Sequence, residues 1–91
     1  MPVNRYTSQE CFIEAHLNVT WEISKNGASY INVEGFNIAV MKDNNDKSFW
    51  TWRITHINTS NFEWFKGHNK PNSMAAAKKA VLREVAKKLG L

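Results

Sequence analysis

Lys70, Lys78, Lys79 and Arg83 crowd one end of the chain, within residues 66–91, where seven basic side chains face the single acid Glu84. Residues 1–65 carry the other five basic groups against seven acids, so the net charge of +4 is concentrated in the C-terminal quarter. Clustered ammonium and guanidinium groups neutralise phosphates, and a basic segment beside a mildly acidic remainder is the electrostatic footprint of a polyanion such as nucleic acid. A basic helix face also simply keeps a small protein solvated, so the cluster selects a surface for that chemistry without naming its ligand. Arg53 is a further candidate. It alternates with Trp50, Trp52 and Ile54, which puts it with Thr51 and Thr55 on the face away from the tryptophans, where a guanidinium can hold a phosphate or stack on a base. Glu14 and Glu22 would share that face if the N-terminal segment were a strand, and Arg53 is expected to pair with one of them. That expectation favours the helix edge over the sheet as the phosphate-facing surface.

Other chemistry finds little support. His16, His56 and His68 are scattered, Cys11 has no base placed beside it, and no residues have the spacing of a metal, nucleophile or glycine-rich phosphate-loop motif. No catalytic residue, metal or cofactor is expected, and His56 shares parity with Trp50 and Trp52 as a packed core-edge residue would. One cysteine cannot form an internal disulfide, and neither a membrane-spanning run nor a leader is legible, so a cytoplasmic protein is expected. Phe49 and Phe65 have parity opposite to Trp50, Trp52 and Trp64. Either they form an exposed aromatic protein interface, or the N-terminal residues, with Tyr6 and Phe12, fold over them. A homodimer through the open sheet face or an edge strand is a related arrangement, because one helix covers only one face.

The elements that must carry these residues belong to one domain, 1–91, since 91 residues allow a single core. Four tryptophans, five phenylalanines and two tyrosines supply that core. From Ile13 apolar residues occupy every odd position through Ile23, which predicts a long half-buried strand. A short helix opened by Thr7 and Glu10 is the competing reading, although its apolar residues do not fall on one helical face. Lys25-Asn26-Gly27 predicts a hairpin, and a three-residue loop with Gly27 left-handed would set Trp21 opposite Ile31 and Val19 opposite Val33. After Glu34-Gly35 the apolar positions become even (Phe36, Ile38, Val40), as a bulge bending the second strand would produce. A polar turn over 43–47 leads to a third strand, Phe49–Thr55. A turn over 58–61 leads to a short fourth strand or edge extension, Phe62–Lys66, with Phe62 and Trp64 on one side. Gly67–Asn72 breaks the pattern, Ser73 is a natural cap, and a helix follows over about 74–89 with Met74, Ala77, Val81, Val85 and Leu89 in one stripe. The expected architecture is α+β: an antiparallel three- to four-stranded β-meander, about 12–66, packed against one C-terminal α-helix.

Lys70, Asn72, Ser73, Ala75, Ala76, Ala77, Lys78, Lys79, Ala80 and Leu82 resemble the final helix of a double-stranded-RNA-binding domain, over about a quarter of the chain. In that family lysines at the start of this helix contact phosphates, so the resemblance implies that role for Lys78 and Lys79, with Lys70 in the preceding loop. Family members usually open with a helix and carry a Gly-Pro turn between the first strands, where this chain has an alternating segment and Lys25-Asn26-Gly27. A three-stranded sheet plus helix is also similar to the arm-type DNA-binding domains of phage integrases, which read the major groove with the sheet; both likenesses are of architecture. The function expected is that of a small non-enzymatic binding module for nucleic acid. The alternative is a protein-binding or regulatory accessory module, such as a bacterial or phage chain that modifies a larger machine.

Overall fold

The computed structural model describes residues 8–42, 50–57 and 73–91, together with the backbone of 62–65. The first element is a helix, α1 (Gln9–Leu17), capped by Ser8, whose Oγ accepts from the Cys11 amide at 3.2 Å. This corrects the strand expected from Ile13 onward. Phe12, Ile13, His16 and Leu17 recur at the spacing of a helical stripe; Phe12 and Ile13 are buried and the other two half-buried, whereas Ala15 is exposed. The period-two pattern was therefore compatible with a helix that buries pairs of neighbours. His16 turns its Nδ1 to the Phe12 carbonyl at 2.8 Å, and its ring packs 4.4 Å from that of Phe12.

Only the end of the expected strand is extended, as β1 (Glu22–Ile23), which pairs antiparallel with β2 (Ser29–Val33). The connection is the three-residue loop: Ser24 donates to Ala28 at 2.8 Å, and Gly27 adopts φ +84°. β3 (Phe36–Lys42) follows through Glu34 at φ 49° and Gly35 at φ +87°. Two consecutive left-handed residues make a two-residue turn whose twist suits a hairpin. The chain reverses here, so the bulge expected at Gly35 is a turn and the single bent strand is two. The parity switch has the same origin, because Val33 pairs with Phe36 and Ile31 with Ile38 across that turn.

β4 (Trp50–His56) pairs with β3, and β5 (Phe62–Phe65) pairs with β4, giving a five-stranded antiparallel meander in the order β1-β2-β3-β4-β5. The expected turns over 43–47 and 58–61, the break at 67–72 and the shared side of Phe62 and Trp64 lie outside the described residues. Val33, Ile38, Val40, Trp52 and Ile54 turn one face of the sheet into the core. Against it lies α2 (Met74–Lys88), capped by Ser73, with Ala77, Val81, Leu82, Val85 and Ala86 all fully buried. α1 packs on α2 and adds Phe12 and Ile13 to the same core. Gly90, at φ +86°, closes α2, with Leu91 donating to Ala86 at 2.9 Å. The Gln9 amide donates to the Leu91 carbonyl at 2.9 Å and ties α1 to this end. Among the described residues no helix is long and apolar enough to cross a membrane.

Candidate functional site

The outward side of α2 begins with Ser73, whose Oγ accepts from the Ala76 amide at 3.1 Å, and a first turn without any acid. The positive end of the helix dipole is thus left unneutralised by its own sequence. Lys78 and Lys79 follow directly. Lys79 is exposed; Lys78 is half-buried, its ammonium 4.7 Å from the centroid of the Trp21 ring. That contact holds the lysine stem on the rim of the core while the charge stays at the surface.

Arg83 is differently engaged. Its Nη2 lies 2.7 Å from Glu10 Oε1 and its Nη1 donates to Gln9 Oε1 at 3.2 Å, which turns the guanidinium toward α1. Lys87 pairs with Glu84 at 3.2 Å one turn away. Glu10 and Glu84 are thus paired with the second half of α2, and among the described residues neither Lys78 nor Lys79 makes an ion pair. Lys70 lies outside the described residues.

Arg53 is on the far side of the sheet from α2. Glu22, Tyr30, Ala39 and Arg53 are successive cross-strand partners, so Glu22 stands three strand spacings from Arg53, roughly 14 Å. Glu14 is exposed on α1, with the helices. The expected pairing of Arg53 with one of these acids does not form, because one acid is on a helix and the other at the far edge of the sheet. Glu22 instead accepts from the Tyr30 phenol. This hydrogen bond, then the carboxylate charge, then partial burial, hold the phenol above its ordinary pKa of 10.0.

Phe49 lies outside the described residues, as does the side chain of Phe65, whose backbone is the partner of Trp52. Among the described residues of the open sheet face Tyr30 is the aromatic one; its neighbours are Asn32, Asn37, Thr51, Arg53 and Thr55, with Asn37 donating to Asn32 at 2.7 Å. His56 packs edge-on against Phe36 at 4.9 Å, and Cys11 is exposed. Among the described residues no three of His, Cys, Asp and Glu come together to hold a metal.

The contacts Glu10–Arg83, Trp21–Lys78 and Glu22–Tyr30 escaped the sequence reading. The first two join distant elements, and no local pattern announces them. The third follows from the three-residue hairpin register, which sets Glu22 opposite Tyr30. Comparison of the chain with protein-family models, with curated proteins and with solved structures finds no match.

Proposed function

We propose that the protein is a non-enzymatic nucleic-acid-binding module that holds a phosphate backbone against the first half of α2, with Lys79 as the principal contact and Lys78 beside it. The observation that carries this reading is the division of charge along one helix: Arg83 and Lys87 are matched to Glu10 and Glu84, while the turn bearing Lys78 and Lys79 has no acid before it. An unneutralised helix start followed by two ammonium groups attracts phosphate oxygens through both the dipole and the net charge. Arg83 contributes long-range field more than contact, since its donors face α1. The chain opens with a helix, Gln9–Leu17, and then runs through five strands to α2, while the Lys25-Asn26-Gly27 loop departs from the double-stranded-RNA-binding pattern.

The test is a titration of labelled single- and double-stranded RNA and DNA at two salt concentrations, with Lys79→Glu and the Lys78→Glu, Lys79→Glu double variant in parallel. Circular dichroism checks that both variants fold, because Lys78 also touches Trp21. Salt-sensitive binding that falls in both variants is expected. Absence of binding to all four nucleic acids refutes the reading and turns attention to a protein partner.

A further inference from the structure

The face of the sheet turned away from α2 carries a groove of about 770 Å³, within the usual range for ligand sites. Cross-strand register builds it. In the row Glu22, Tyr30, Ala39, Arg53 the smallest side chain stands third, and Ala39, itself 4 % exposed, forms the floor between Tyr30 and Arg53. Asn37 and Lys42 line the groove further along β3, and the hairpin loop around Asn26 borders it.

Charge selects the ligand. Arg53 lines the groove and, among the described residues, no carboxylate does; Lys42 borders it with its ammonium 5.2 Å from the centroid of the Trp50 ring, and Glu22, the acid of the row, lies outside the lining. Tyr30, half-buried beside the Ala39 floor, presents an aromatic surface at one side of the depression. The Tyr30 and Arg53 backbones are two strand spacings apart, roughly 9.5 Å, a span suited to a ligand with a planar ring at one end and an anion at the other. Arg53 already makes an interaction within the chain, and its fork of five donors serves a phosphate in addition. Asn26 and Asn37 supply amides for the edge of a heterocycle. A paired base is stacked inside its duplex and offers no face to such a surface, whereas an unpaired one does.

We infer that this groove seats one unpaired nucleotide of a single strand, its base on Tyr30 and its phosphate on Arg53. The site is separated from Lys78 and Lys79 by the thickness of the sheet and stands whether or not α2 binds phosphate.

The experiment measures affinity of the full chain for labelled single-stranded RNA and DNA of roughly ten nucleotides, a length within the span of one binding module. Tyr30→Ala, Tyr30→Phe and Arg53→Gln are compared, with folding followed by circular dichroism. Loss of one stacked base predicts a weakening of about 5- to 150-fold for Tyr30→Ala. Tyr30→Phe, which keeps the ring, retains most of the affinity, and Arg53→Gln weakens binding and lowers its salt dependence. Should Tyr30→Ala not fold, Tyr30→Phe and Arg53→Gln still decide. Single-strand affinity unchanged in Arg53→Gln, or absent in the wild type, overturns the inference. Duplex binding and its sensitivity to Lys79→Glu, read in the same series, report separately on α2.

Discussion

Lys79 and Arg83 are one helical turn apart on α2, yet their side chains meet different surroundings: Lys79 meets solvent and Arg83 meets Glu10. The Arg83–Glu10 pair is about half exposed, with side-chain accessibilities of 43 % and 69 %, so its stabilising contribution is small. Glu10→Gln should therefore cost less than about 1 kcal/mol in urea denaturation, and should raise nucleic-acid affinity a few-fold by removing an acid and releasing a guanidinium. A second pair sets an alkaline limit. The Tyr30 phenol titrates above its ordinary 10.0 in the folded chain, so its bond to Glu22 contributes fully below that value. The contribution is lost as pH rises through the folded pKa, when the unfolded chain releases the proton more readily. Thermal stability should fall more steeply with alkaline pH in the wild type than in Glu22→Gln, and tyrosinate absorbance, with Tyr30→Phe separating Tyr30 from Tyr6, should show the displaced titration. The charges themselves were legible in the sequence because every lysine is visible there. Their pairings were not, since Gln9 and Glu10 approach Arg83 from the opposite end of the chain.

The turn at Glu34-Gly35 explains more of the fold than any other short segment. A two-residue loop and a one-residue bulge shift the parity of apolar positions in the same way, so Val33 to Phe36 could not distinguish a bent strand from a hairpin. The two positive φ values decide for the hairpin, and with it the register that aligns Tyr30, Ala39 and Arg53. Glu34 occupies a left-handed position that favours Asn, Asp or Gly. Glu34→Asn should stabilise the protein by up to about 1 kcal/mol, and Gly35→Ala should destabilise it by about 1 kcal/mol or more, both read as urea midpoints at constant slope. α2 was legible almost to its ends because the Ser73 cap, the apolar stripe and Gly90 agree with one another. α1 was misread because Ile13 to Ile23 alternates; the Ser8 cap and the burial of Phe12 against the other helix overrode that local pattern.

Taken as a whole, the molecule separates its chemistry by face. α2 covers one side of the meander, with α1 packed against it, and carries the basic pair 78–79; the other side is an open, largely polar surface with Arg53 and Tyr30. The α+β meander and its C-terminal helix followed from alternation and helical periodicity, while the packing of α1 on α2 and the groove on the open sheet face depend on tertiary packing and register. If the field of α2 holds nucleic acid, binding is counterion release, and its logarithm falls linearly with that of salt concentration. The decisive measurement is that slope for a labelled duplex in the wild type and in the folded Lys78→Glu, Lys79→Glu variant. A steep slope that becomes shallower by about one unit per lost phosphate contact is predicted, with affinity falling alongside; equal slopes and equal affinities in the two proteins would contradict a phosphate-binding role for α2.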